Sequence, residues 1–224
     1  MEIIARIHND FTDKFGIPRQ SGLSDVVSKI HFEPKYRNID ALRGIEQFSH
    51  LWLIWNFSEN NQKDWSPTVR PPRLGGNKKM GVFATRSPFR PNPIGLTVVK
   101  LLKIENTKQG PVIYISGADI MNNTPIYDIK PYIPYCDCVT DATDGFTSVT
   151  KDYKLEVVIP DNISENFPGD KLSTLIQILS GDPRPSYHNS DSRVYGLSFG
   201  EYNIKFTVDE STLTVREIKK IPVD

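Results

Sequence analysis

The stretch GVFATRSPFRPNPIGLTVV, Gly81 to Val99, constrains the chain more than any other. Pro88, Pro91 and Pro93 each fix φ and remove a backbone donor, so the loop is stiff before anything binds to it. Arg86 and Arg90 stand among these prolines. Immediately afterwards the sequence turns apolar and β-branched, which reads as a strand. A second strand, GVFATR, is expected before the loop, with Arg86 at its end. A stiff loop has little entropy to lose on binding, and one carrying two guanidinium groups suits an anionic partner.

The same alternation of strand-like segments and breakers runs through the first 135 residues. EIIARI, SHLWLIWNF, GVFATR, IGLTVVKLLKI and PVIYISGADI are separated by proline, glycine and asparagine clusters. Short strands with turn signals between them predict a barrel or sandwich, not a βαβ array. KFGIPRQSGL, from Lys14 to Leu23, reads as a long irregular connection. DCVTDATDGFTSVTKD is polar and reads as a linker, placed at 139–150. Beyond it come a strand in YKLEVVI and a helix in GDKLSTLIQILSG. In that helix Leu172, Leu175, Ile176 and Leu179 recur at helical spacing, and Gly181 is the stop. Three antiparallel strands close the chain, with turns at Gly200-Glu201 and Asp209-Glu210-Ser211. The expected fold is therefore mainly β: a barrel over 1–138 and a small α+β domain over 151–224.

Net charge is zero, which argues against bulk attraction to nucleic acid. The distribution is uneven, however. From Arg70 to Arg90 the chain carries Arg70, Arg73, Lys78, Lys79, Arg86 and Arg90 and no acidic residue. No run of about 18 apolar residues exists to cross a membrane. The start, MEIIARIHND, lacks a basic region followed by a long apolar one, so a cytoplasmic protein is expected. Cys136 and Cys138 are too close for an easy disulfide and too few for a structural zinc site. The four histidines show no metal-ligand spacing, and no metal is expected. Nucleotide-binding glycine motifs and the Gly-x-Ser-x-Gly elbow are absent.

Longer motifs carry more. PTVRPPRLGGNKKMGVFATRSPFRPNPIGL, with IPRQ, FSHLWLIW and TPIYDIKPYIPY, resembles the TsaA-like family of TrmO-type tRNA methyltransferases. DPRPSY at Asp182–Tyr187 and RVYGLSFGEYNIKF resemble the C-terminal domain of its bacterial members. The resemblance implies a β-barrel that binds S-adenosylmethionine, and methylation at N6 of N6-threonylcarbamoyladenosine beside the anticodon of tRNA. It also implies a homodimer with the cofactor near the subunit contact. Two other readings remain open: an S-adenosylmethionine-dependent enzyme of the same fold acting on another RNA or a small substrate, and a non-catalytic RNA-binding module.

By resemblance the cofactor contacts fall on Pro18, Arg19 and Gln20, on Ser58 and Glu59, on Arg86 and Leu96, and on Asn122, Asn123, Thr124 and Pro125. Ser58-Glu59 replaces a His-Gln pair common in the family, so only backbone contacts carry over there. Asn122-Asn123 replaces Asp-Gly, and asparagine can hold the positive φ that glycine would. Arg86 is expected to pair with the cofactor carboxylate, and the backbone at Gly95 to approach a planar base. The proton that leaves N6 needs an acceptor. Asp119 and Asp128 flank the NNTP loop, with Tyr127 and Tyr132 nearby, and no single base is assigned. Lys78, Lys79, Arg90, Arg184, Tyr187 and Arg193 are the expected RNA contacts. On this reading the second domain serves the RNA, and a chain ending near Thr150 should still bind the cofactor.

Overall fold

The computed structural model describes residues 1–60, 65–71, 74, 78–148, 152–165, 167–184 and 193–222. Tyr187 and Arg73 lie outside the described residues. Six strands form a closed barrel: β1 (Ala5–His8), β2 (Val27–Phe32), β3 (His50–Asn56), β6 (Ile94–Thr107), β7 (Gly110–Ser116) and β8 (Pro125–Pro131), in the order β1-β2-β7-β6-β3-β8. Closure leaves no free edge. Along each strand alternate residues turn inward, and Ile7, Ile30, Leu51, Leu53, Ile113, Ile115 and Ile126 are fully buried.

A two-stranded ribbon, β4 (Thr68–Val69) with β5 (Met80–Gly81), carries the basic stretch outside the barrel. The strand expected over GVFATR is only this two-residue β5. Val82–Ala84 forms a 3₁₀ turn instead, so Arg86 follows a turn and not a strand. The physical reason is an internal ligand. Arg90 Nη1 donates to the carbonyls of Val82 and Thr85, at 3.1 and 2.7 Å, and curls the segment round its guanidinium.

Helices α1 (Pro134–Asp137) and α2 (Asp161–Ser164) are single turns; α3 (Gly169–Ser180) is the one long helix among the described residues. The second sheet has the order β10 (Tyr195–Phe199), β11 (Tyr202–Asp209), β12 (Thr212–Lys220), β9 (Glu156–Val158), with β9 parallel to β12. The turns at Gly200-Glu201 and Glu210-Ser211 are where expected, and Gly200 and Glu210 have positive φ. In α3 the buried stripe runs through Leu175, Ile178 and Leu179, while Ile176 is exposed. Ile176 sits about 100° round the helix from Leu175, at the edge of the stripe. The mainly β barrel with an α+β unit thus matches the sequence reading.

Two strands of the barrel escaped that reading. In β2 the inward Ser28 is fully buried and its Oγ receives Asn9 Nδ2 at 3.2 Å, so a polar residue breaks the apolar alternation. β8 begins and ends in proline, a residue that normally marks an edge.

The segment between β1 and β2 has no regular structure, yet it belongs to the second core. Phe11 and Val26 are buried among Leu175, Leu179, Leu197, Phe199 and Phe206. Phe15 stacks on Phe206 with ring centroids 6.4 Å apart. Asp10 pairs with Lys171 at 2.7 Å, and Asp25 exchanges two hydrogen bonds with Gln177. A chain cut in the linker would leave Phe11 and Val26 facing water, which runs against a freely separable N-terminal half. Phe11→Ala should cost about 3–5 kcal/mol of stability in chemical denaturation. A cost under about 1 kcal/mol would mean that Phe11 is not part of the core.

Candidate functional site

At the end of the barrel where β3 stops and β6 starts, a cleft of about 940 Å³ opens. That size suits a small-molecule cofactor. Its floor is set by backbone proximity. Trp55 and Gly95 are cross-strand partners, and the indole lies directly on Gly95. A Cβ there would meet Trp55 Cε2 at 2.1 Å, so no other residue fits without moving the ring. The planar group packed on the Cβ side of this glycine is thus the protein's own indole. A register shift in the β3–β8 pairing falls between Ile54 and Trp55, and such irregularities re-aim a side chain.

Trp55 Nε1 donates to Thr97 Oγ1 at 3.0 Å, and Thr97 Oγ1 donates to Asp119 Oδ1 at 2.8 Å. Thr97 is 3% exposed, so this relay is dry on the Trp55 side. Burial pushes the Asp119 carboxyl above its ordinary value. The Thr97 hydrogen bond, the backbone of Asp119 and the charge of Arg86 only partly offset this. Asp119 lines the cleft. Asp128 does not: it faces outward, paired with Lys130 at 3.1 Å and accepting the N–H of Ile129. Tyr127 and Tyr132 are also outside the lining, and Tyr132 packs against Trp52 and His50. Sequence reasoning missed Trp55 and Thr97. Their contact is diagonal across the ladder, since Trp55 pairs with Gly95 and Leu53 with Thr97, and the sequence carries no local signal for it.

The rim is built from three loops. Pro18, Arg19 and Gln20 form one wall, Ser58 and Glu59 a second, and Arg86 to Arg90 a third. Arg86 is exposed and its Nη1 donates to Gln20 Oε1 at 2.6 Å. Asn60 Nδ2 donates to the Pro88 carbonyl at 2.8 Å, and Lys14 Nζ to the Glu59 carbonyl at 2.7 Å, so the walls are tied to one another. Leu96 is 58% exposed at the mouth. In the NNTP loop only Thr124 lines the cleft. Asn123 takes φ of 65°, the conformation a glycine would hold, and Asn122 Oδ1 accepts the N–H of Asn9. These two asparagines and Pro125, the first residue of β8, shape the loop from behind.

The expected RNA contacts are scattered. Lys78 and Lys79 are exposed beside β5. Arg90 lines the cleft but holds two carbonyls and packs over Phe83. Arg184 is nearly buried and locked to Asp182, with side chains 11% and 13% exposed. Arg193 lies over the Tyr195 ring. Beyond the rim Trp65 and Phe83 stack with centroids 6.1 Å apart, 51% and 72% exposed. Among the described residues no group of three or more His, Cys, Asp or Glu side chains could hold a metal, and Cys136 and Cys138 are both free and exposed. No helix among them is long and apolar enough to cross a membrane.

Residues 6–138 match the tRNA-methyltransferase O N-terminal domain, and residues 154–221 match the TrmO C-terminal domain. The chain belongs to the TrmO family. It is 35% identical over 225 residues to the tRNA (adenine(37)-N6)-methyltransferase of Escherichia coli (strain K12), covering 96% of this chain and 95% of that one. A putative S-adenosylmethionine-dependent methyltransferase of Pseudomonas aeruginosa is 36% identical over 90% of this chain and 89% of its own length. A crystal structure of TrmO from Pseudomonas aeruginosa superposes with a TM-score of 0.78 at 28% identity, covering 97% of this chain and 96% of that one.

The raised Asp119 carboxyl has a consequence for stability. The folded protein binds this proton more tightly than the unfolded chain does. Stability therefore falls as pH rises from the ordinary value of 3.8 through the raised one, and stays lower above it. Asp119→Asn removes that penalty, so its melting temperature at neutral pH should equal or exceed that of the wild type. A clear fall in a melting curve at neutral pH would show that the carboxylate is a structural anchor.

Proposed function

We propose that this member of the TrmO family binds S-adenosylmethionine in the barrel-end cleft and methylates N6 of adenine 37 in tRNA, with N6-threonylcarbamoyladenosine as the substrate base. The observation that carries the reading is the juxtaposition in one cleft of a guanidinium on a stiff loop, Arg86, and a carboxylate of raised proton affinity, Asp119. The residues fit the cofactor. Arg86 supplies a cation for its carboxylate, Trp55, Phe57 and Phe89 supply apolar walls, and the loops at Pro18–Gln20 and Ser58–Glu59 offer backbone groups.

The cofactor supplies a methyl carbon on a sulfonium, to which N6 adds as the carbon–sulfur bond breaks. Reaction needs N6 within about 3–3.5 Å of that carbon and in line with the leaving sulfur. The N6 lone pair is delocalised in the urea of the threonylcarbamoyl group, and its proton must depart. Asp119, on the cleft side of the Trp55–Thr97 relay, accepts that proton. The hydroxyl of Thr97 holds Oδ1. Activity then falls as pH drops through the raised Asp119 value. Asp119→Asn should lower kcat about 10²–10⁴-fold and abolish that acid limb, as measured by methyl incorporation into tRNA. A variant with near-normal kcat would remove Asp119 from the reaction.

Arg86→Ala should weaken S-adenosylmethionine binding by about 1.5–3 kcal/mol in calorimetric titration, with the fold retained. An unchanged dissociation constant would place the cofactor carboxylate elsewhere. Mass spectrometry of anticodon nucleosides from a deletion strain decides the substrate base, because loss of the N6-methyl form is the expected outcome.

The RNA is read as approaching over the acid-free ribbon. Lys78 and Lys79 are exposed there, and the stacked Trp65–Phe83 pair offers an unpaired base a surface. Replacing both lysines with alanine should flatten the slope of log K against log salt by up to about 1.4. A wild-type slope would move the RNA path to the second domain. The exposed Ile94, Leu96 and Leu102 on the outer face of β6 support the homodimer that the family resemblance implies. A cytoplasmic location follows from a tRNA substrate.

A further inference from the structure

The second domain reaches the cofactor wall through one arginine. Pro18 and Gln20 line the cleft, and Arg19 between them sends its Nη2 to the carbonyls of Asp182 and Arg184, at 3.3 and 3.2 Å. Those two carbonyls converge on one nitrogen because the turn at 182–184 is locked by its own side chains. Arg184 makes a two-pronged pair with Asp182, Nε to Oδ1 at 2.8 Å and Nη2 to Oδ2 at 3.0 Å. The Tyr153 hydroxyl donates to the same Oδ2 at 3.0 Å, and Arg184 N–H reaches Oδ1 at 3.3 Å. Asp182 holds this position at φ of 52°, a left-handed conformation that disfavours most side chains, although Gly181 next to it stays at −71°. A chain that needed only to leave α3 would place the glycine at the strained position. Here the strained position carries the carboxylate instead, and such outliers point to function.

We propose that Asp182 is a positioning residue for the cofactor cleft: through Arg184 it fixes the two carbonyls that hold Arg19, and with Arg19 the Pro18–Gln20 wall. This rests on the cofactor reading above. It makes the second domain part of the cofactor site. The catalytic side of the cleft, Thr97 and Asp119, is on other elements, so the effect belongs to binding and not to the chemical step.

The test uses the full-length chain and Asp182→Asn, since asparagine tolerates the left-handed conformation but cannot pair with Arg184 as an ion. The dissociation constant and KM for S-adenosylmethionine should rise about tenfold, with kcat within about twofold of wild type. Arg19→Ala should do the same, and the double variant should be no weaker than the weaker single one. Hydrogen exchange should quicken at residues 19–22 and stay unchanged in β7. An unaltered dissociation constant in Asp182→Asn, or additive losses in the double variant, would overturn the proposal. If Asp182→Asn does not fold, Tyr153→Phe removes one bond to the same carboxylate and should raise KM about two- to threefold with kcat unchanged; no rise would overturn it equally. If the wild type itself does not bind S-adenosylmethionine, the cofactor reading fails, and the exchange at residues 19–22 still decides whether Asp182 holds the Pro18–Gln20 wall.

Discussion

The contact of the Trp55 indole with Gly95 governs the rest of the site. It is possible only because the second residue of β6 has no side chain, and it places a ring donor inside the end of the barrel. The indole N–H must have an acceptor once buried, and Thr97 provides it. The threonine hydroxyl is then committed as a donor to Asp119 Oδ1. Burial does the remainder by raising its proton affinity. One steric fact in the β3–β6 ladder thus propagates through two hydrogen bonds to the group with the most useful chemistry in the cleft.

The closed barrel is the frame that makes this geometry repeatable. Its interior is filled by aliphatic side chains, so the cleft sits at the open end and is walled by loops. Loops alone would be mobile. Here they are tied: Asn60 to Pro88, Lys14 to Glu59, Gln20 to Arg86, and Arg19 to the second domain. The connection between β1 and β2 contributes Phe11 and Val26 to one core and Pro18–Gln20 to the cleft, which couples two domains that are separate along the chain.

The architecture was legible where apolar alternation and turn chemistry agreed, as in β3, β6 and the hairpins at Gly200 and Glu210. It was illegible where polar or proline residues served an internal purpose, as Ser28 does in β2 and the flanking prolines do in β8. The cleft followed the same rule. Arg86 and Asp119 were readable as chemistry-bearing residues near breakers, Gln20 only through the family resemblance, and Asn123 as a stand-in for glycine. Arg90 and Arg184 were readable only as cations, and Arg19 only through the family resemblance. Their partners are main-chain carbonyls or a carboxylate fixed by the fold, and no local pattern records where a carbonyl will point. Trp55 and Thr97 looked like ordinary strand residues, because a diagonal cross-strand contact depends on a register that sequence alone does not display.

The proline loop can be understood in these terms. Prolines at 88, 91 and 93 remove donors, so the loop cannot satisfy itself by a ladder and must be closed by other groups. Arg90 closes one side, bonding Val82 and Thr85, and Asn60 closes the other through the Pro88 carbonyl. Pro93 contributes its own carbonyl to the N–H of Phe57, which zips the loop onto the end of β3. The consequence is a division of labour between two arginines four residues apart. Arg90 is consumed in shaping the loop, and Arg86 is carried by that shape to the cleft, where its side-chain contact is to Gln20, across the mouth. An anionic ligand group entering there meets a guanidinium whose backbone is already fixed and whose neighbour, Gln20, is fixed in turn through Arg19. Ordering on both sides of the mouth precedes binding, which is the condition under which a charged pair at a partly exposed site contributes to affinity and is not offset by the entropy of bringing it together.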